Sequence, residues 1–346
     1  MKMKYIEAAP RMSAPVVDHL AYILPLGIDM DGVEYEKLME AIKRRVKSAL
    51  ANEECYPWYP RGNRYKMAIE FKPGVDTSIK IGIGAIRKDA QNGDIRISLN
   101  PDRLNKEDIE RFHAFMRKVI GKRYTGLLSG PLINRIDVAV DIVDLDLDQL
   151  LVKYAYAQRH TVIIKRLNGK GRVEGFNLGS VSSDYFTAVY DKSAELLDKA
   201  VKQIARRGTG TESAKSIALK QLKTARGNPP IVRVEVRGRK VRGKSAREVM
   251  KLTDRFERLN FVCLNADLAK EVRTSTLELF ISACRDRGVK AALKLFEGDK
   301  SHTKLKELWT SKPEWWTPDK VWRRAVKGLK ALGIFADDAF KKRDTK

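Results

Sequence analysis

The sequence predicts an α+β fold: a curved antiparallel sheet built from two similar β-α-β-β-β-α halves, followed by a helical C-terminal region. Three observations predict it. The order strand, helix, three strands, helix occurs twice. Three strands alternate apolar and charged residues with a period of two. From Val249 to about Leu295 apolar residues recur at helical spacing with almost no strand signal.

In the first half, Val16–Ile28 is apolar and β-compatible. Glu34–Leu50 has helical spacing through Leu38, Ile42, Val46 and Ala49, with Asp31 as N-cap. Strands are expected at Tyr65–Phe71, Ser78–Ile86 and Asp94–Leu99, and Asn92-Gly93 is a hairpin signal. The turn and capping residues of NPDRLNKED then precede a helix over Ile109–Ile120. The second half gives a strand at Asn134–Val143, a helix over Leu147–Ala157, and strands at Thr161–Leu167, Arg172–Leu178 and Tyr185–Asp191. Asn168-Gly169 marks a second hairpin, and helix is expected from Ser193 onward. Lys199–Arg226 is basic and helical, GNPP ends it, and one more strand, Ile231–Val236, follows.

After the basic run Arg237–Arg247 the character changes, so residues 1–245 are expected as one domain and 246–346 as a helical DNA-recognition or assembly region. Its last helix is expected to begin at Thr317-Pro318. The tail FKKRDTK is expected to be disordered.

The chain has 346 residues, 43% of them hydrophobic, which is enough for a substantial core. Lys and Arg number 68 against 44 Asp and Glu, a net charge of +24. Such a surface attracts a polyanion, nucleic acid first and a membrane surface second. No stretch of 18 or more uncharged apolar residues occurs, and the N-terminus lacks the apolar run of a signal peptide. The expectation is a protein of the bacterial cytoplasm with no membrane partner. Three cysteines and four histidines are dispersed, offering neither a disulfide framework nor a zinc ribbon.

The three alternating strands hold the candidate chemistry. In NRIDVAVDIV, Arg135, Asp137 and Asp141 share the face opposite Ile136, Val138, Val140 and Ile142. In IVRVEVRG, Arg233, Glu235 and Arg237 oppose Val232, Val234 and Val236. In YFTAVYDK, Ala188, Tyr190 and Lys192 share a face. One reading is solvated faces of half-buried strands carrying alternating salt bridges. The other is a site. Carboxylates from different strands suit Mg²⁺ or Mn²⁺, arginines beside them suit a phosphate, and a tyrosine can form a covalent phosphoester.

RIDVAVD, GSVSSDYFTAVYDKSAE and RVEVR, in that order and approximate spacing, resemble the blocks of the Rep-trans family of rolling-circle replication initiators. Upstream, DIRISLNPDRL is similar to the family's strand-then-Asn-Pro segment and VDHLAYIL to its first strand. The resemblance covers roughly residues 16–240. It implies that Tyr190 is the nucleophile, attacking a phosphodiester in an extruded origin hairpin to leave a 5′-phosphotyrosine link and a free 3′-OH. It also implies a Mg²⁺ or Mn²⁺ held by Asp137, Asp141 and Glu235, and a homodimer. Lys192 is the candidate for steadying charge at the phosphate. Arg135, Arg233, Arg237, Arg239, Lys240 and Arg242 are the expected DNA contacts, and origin DNA (single-stranded hairpin and flanking duplex) and a host helicase the expected partners. Two departures stand out: Ser98 where relatives carry an acid, and Ala188 where they often carry a basic residue.

Two other readings remain open. The same chemistry would serve a relaxase of an integrative element, and a non-catalytic DNA-binding regulator could keep the scaffold. IGIGAI contains a G-x-G, but within a strand and with no following helix. Trp315, Trp316 and Trp322, with Lys320, Arg323, Arg324 and Lys327, either contact DNA or pack their helix onto its neighbour.

Overall fold

The computed structural model describes residues 9–26, 30–60, 64–74, 77–86, 94–154, 161–164, 175–180, 183, 185–197, 229–238, 241–263 and 271–341. Its class is α+β, with a large antiparallel sheet and C-terminal helices. The chain opens with β1 (Arg11–Met12) and β2 (Val16–Leu24), then α1 (Gly32–Ala51). α1 starts where the expected cap sits: the Asp31 carboxylate accepts the Glu34 amide at 2.7 Å, an interaction worth about 1 kcal/mol. A meander follows, of β3 (Tyr56–Pro57), β4 (Tyr65–Phe71), β5 (Ile79–Ala85) and β6 (Ile95–Leu99). α2 (Lys106–Ile120) opens on a reciprocal capping box between Asn105 and Asp108. The short α3 (Tyr124–Leu127) leads into the long strand β7 (Leu132–Val143).

Next come β8 (Leu150–Tyr154), β9 (Thr161–Ile164), β10 (Gly175–Leu178), β11 (Tyr185–Asp191) and β12 (Ile231–Gly238). The remainder holds β13 (Lys244–Ser245), α4 (Ala246–Met250), β14 (Leu259–Cys263), α5 (Thr274–Arg287), α6 (Val289–Leu295), α7 (His302–Thr310) and α8 (Val321–Leu332). Two compact units result. The first is Pro15–Val138, Arg237–Asp254 and Lys320–Lys346; the second is Met1–Ala14, Ala139–Val236 and Arg255–Asp319.

In the first unit the strands run β3-β4-β5-β6-β2-β7. One face is apolar: Ile81, Ile83, Ile95, Ile97, Leu99 and Leu20 are buried, as are Ile42 and Val46 of α1 and Phe112 and Met116 of α2. Phe71 stacks on Phe115 at 4.4 Å, Tyr22 meets Phe335 edge-on at 4.9 Å, and α8 packs on β2. Each large apolar side chain buried this way contributes about 1.5–3 kcal/mol. On α8, Trp322 is buried and its indole N–H donates to Val249 O at 3.0 Å.

In the second unit the order is β7-β12-β11-β10-β9, with β1 pairing β7 at Arg11↔Val143. A separate β8–β14 pair carries a core formed with α5, α6 and α7, including Val262, Leu277, Phe280, Ile281 and Leu305. Phe261 of β14 packs against Trp315 at 5.9 Å and Trp316 at 4.5 Å, and the Trp316 indole donates to Leu259 O at 2.9 Å. The tryptophans therefore pack their segments onto neighbours.

Several expectations need correction. The helix expected over Leu147–Ala157 is not formed: Leu147–Gln149 is a 3₁₀ turn and Leu150–Tyr154 a strand. Leu147, Leu150, Leu151 and Tyr154 fit helical spacing, but a partner strand more than a hundred residues later overrides it. That partner, β14, lies in the stretch expected to be helical. The last helix begins at Val321 and not at Pro318. In the compact units, 246–254 and 320–346 group with 15–138, and 255–319 with 139–236. Both expected Asn-Gly turns, the basic run Lys199–Arg226 and most of the tail lie outside the described residues.

Candidate functional site

β11 carries Tyr190 and pairs antiparallel with β10, so that Tyr190 stands opposite Gly175. A side chain there would be crowded. A Cβ at Gly175 would lie 3.1 Å from Tyr190 Cβ and 3.2 Å from the Val189 carbonyl oxygen. On the other side of β11 runs β12 with Glu235. The half-buried Tyr190 donates its hydroxyl hydrogen to Glu235 Oε2 at 3.3 Å. Glu235 itself is only 4% exposed.

Lys192 opens the helical segment 192–197, which Asp191 caps by accepting the Ala194 amide at 2.9 Å. The Lys192 ammonium sits 5.9 Å from the centre of the Tyr190 ring and donates to Glu195 Oε2 at 2.6 Å. Two residues before Glu235, the buried Arg233 grips Asp141 of β7 with two bonds, Nε to Oδ1 at 2.6 Å and Nη2 to Oδ2 at 2.8 Å. The Asp141 backbone is held too: its amide donates to Ser13 Oγ at 3.0 Å, and its carbonyl accepts the Ser13 amide at 2.8 Å. All of these residues belong to the second unit.

In the first unit, Arg135 and Asp137 of β7 form another two-pronged pair, with Nε to Oδ1 at 3.0 Å and Nη2 to Oδ2. Asp137 is 1% exposed, and burial pushes its pKa up although Arg135 and Arg237 pull it down. Arg242 and Arg135 both act electrostatically on Arg96. Arg239, Lys240 and the Tyr185 side chain lie outside the described residues.

These strands are not half-solvated: Asp137, Arg233 and Glu235 are buried and engaged, and Lys192 lies beyond the end of its strand, at the start of a helical segment. A buried charge is expensive unless paired, which accounts for the two arginine–carboxylate forks. Among the described residues no group of three His, Cys, Asp or Glu side chains is arranged to hold a metal ion. Asp137, Asp141 and Glu235, expected as ligands for Mg²⁺ or Mn²⁺, are instead held by Arg135, Arg233 and Tyr190. As arranged they do not fit that ion. What the second unit offers is a tyrosine whose proton has an acceptor, with the Lys192 ammonium 5.9 Å from its ring.

No family model matches the chain, and no curated protein matches it at a significant level. Among the described residues no helix is long and apolar enough to cross a membrane.

Proposed function

We propose that the chain nicks and rejoins one strand of DNA by transesterification through Tyr190, the activity that resemblance to the Rep-trans initiators implies. The observation that carries this reading is the hydrogen bond from Tyr190 Oη to Glu235 Oε2 at 3.3 Å. A phenol of ordinary acidity, pKa about 10, is ionised in only about one molecule in a thousand at neutral pH. Attack therefore needs a base within reach of the hydroxyl, and a carboxylate already accepting that hydrogen is such a base.

Tyr190 Oη forms a bond to phosphorus while its proton passes to Glu235. The P–O3′ bond breaks, and O3′ leaves with the electron pair and takes a proton from solvent. The 5′ phosphate stays on Tyr190. Rejoining is the reverse, with the 3′-OH attacking the phosphotyrosine. Lys192 and Arg233 supply positive charge beside the reacting phosphate. The +24 net charge supports a polyanionic substrate. The proposed setting is a bacterial cytoplasm, with origin DNA, a second copy of the chain and a host helicase as partners.

The test is incubation of the full chain with single-stranded origin-type DNA labelled 3′ of the cut, followed by a denaturing gel. The proposal requires label that stays with the protein after denaturation. Cut DNA with a free 5′ phosphate and no protein-linked label would make the protein a hydrolytic nuclease. Binding without cutting would make it a regulator.

A further inference from the structure

The Tyr190 chemistry leaves a second set of residues unused. In the first unit, cross-strand register aligns Tyr56, Glu70, Lys80 and Ser98 in one row over β3, β4, β5 and β6. The next row holds Ala68, Gly82 and Arg96. Residues paired across strands share a face, and this is the face opposite the apolar one on which the helices pack.

Its outer end is aromatic and cationic. Lys72 lies over the Tyr56 ring at 4.7 Å and Lys80 over the Trp58 ring at 5.3 Å. Tyr56 is 43% exposed and Tyr59 is 88% exposed. The Trp58 amide donates to the Ala68 carbonyl at 3.0 Å, which ties this aromatic run along the sheet edge. Tyr56 and Trp58, each under a lysine, with the exposed Tyr59 next to them in the chain, are a poor core and a good stacking surface.

Farther in, the face narrows to arginine. Burial, together with Arg64, Arg135 and Arg242, pushes the pKa of Arg96 down. Its buried Nε has no hydrogen-bond partner among the described residues. The Tyr65 ring covers Gly82, where a Cβ would come within 2.6 Å of it. The Glu70 carboxylate on this face accepts from Ser78. A cation crowded by cations, with a donor to spare, suits an oxyanion.

We propose that this face is a docking track for single-stranded DNA, with bases stacking on Tyr56, Trp58 and Tyr59 and a backbone phosphate seated at Arg96. Only the choice of DNA rests on the nicking proposal. Single strands fit because duplex bases already stack on one another and cannot offer their faces to a ring. Lys72 and Lys80 follow the backbone between the two ends.

The experiment measures binding of the full chain to labelled oligothymidylate over a salt series, with a duplex of equal length and oligouridylate as comparisons. Tyr59→Ala is the first variant, because so exposed a ring can be removed without disturbing the fold. It and Trp58→Ala should each weaken oligothymidylate binding about tenfold. Arg96→Gln should flatten the salt dependence by about one released counterion. Unchanged affinity in both aromatic variants, or tighter binding of the duplex or of oligouridylate, overturns the track. Adduct formation at saturating strand separates the two proposals. A wild type that forms no adduct while Tyr59→Ala still binds about tenfold more weakly sinks the nicking reading and leaves the track standing.

Discussion

The Tyr190 hydroxyl reaches Glu235 Oε2 at 3.3 Å across two adjacent strands, β11 and β12. Glu235 is buried, so its position is fixed by packing. If it accepts the phenol proton during attack, Glu235→Gln keeps an acceptor oxygen in place but cannot take that proton. Adduct formation measured in a single turnover should fall by about two orders of magnitude or more, with strand binding unchanged. An unaltered rate would show that the carboxylate is not the base.

Gly175 stands opposite Tyr190, where an added Cβ would lie 3.1 Å from the Tyr190 Cβ. Gly175→Val should force β10 away from β11, at a cost of about 1–3 kcal/mol in stability. It should also slow adduct formation, because the Tyr190 hydroxyl would no longer reach Glu235. Denaturant melts and the single-turnover assay check the two effects separately. A variant with the stability and rate of the wild type would contradict this view of the pairing.

Arg233 is buried and forked onto Asp141. Asp141→Ala removes the carboxylate and leaves the guanidinium behind, which should destabilise the fold by about 3 kcal/mol. The double variant Asp141→Leu/Arg233→Met should recover much of that loss, since an apolar pair carries no desolvation penalty. It should not recover nicking, because the cation is gone. Denaturant unfolding of the three proteins measures this. Equal stability of Asp141→Ala and wild type would show that the pair is not holding the strands.

His19 accounts for a pH dependence. Burial first, then Arg135, lowers its pKa to about 4 against the favourable hydrogen bond with Asn100, and Ser98 Oγ lies 3.3 Å from its Nε2. Asp18 pulls the other way, and Arg96 lowers the value further. A histidine depressed in the folded state binds fewer protons there than in the unfolded chain. The linked stability is thus fully present above about pH 6.5 and is lost as pH falls toward 4, by an amount on the order of 3 kcal/mol. His19→Gln should show a shallower decline between pH 7 and pH 4.5 in urea melts. Parallel declines would place the acid sensitivity elsewhere.

Much of this was legible in the residues because it is local. Period-two alternation located β7, β11 and β12 and assigned Asp137, Asp141, Tyr190 and Glu235 to shared faces, and the cap at Asp31 marked the start of α1. Alternation could not reveal who partners whom across strands. Asp137 and Arg135, two apart on one strand, were within its reach, but that Asp141 belongs to Arg233 and Glu235 to Tyr190 depends on strand order and register, which join residues up to 92 positions apart. The β8–β14 pairing was hidden for the same reason. The face carrying Lys80 and Arg96 left a weak trace: Lys72 and Lys80 follow Tyr56-Pro57-Trp58-Tyr59 in the chain, but only the pairing of β3 to β6 places them together.

Peptide mapping of the protein–DNA adduct tests the central claim most directly. After reaction with a single-stranded oligonucleotide, digestion and mass spectrometry should find the 5′ phosphate on Tyr190. Tyr190→Phe, which removes one oxygen, should bind the strand normally and yield no adduct. Tyr185→Phe, altered five residues earlier in β11, should still form it. A phosphate found on Tyr185, or an adduct that persists in Tyr190→Phe, would contradict the account.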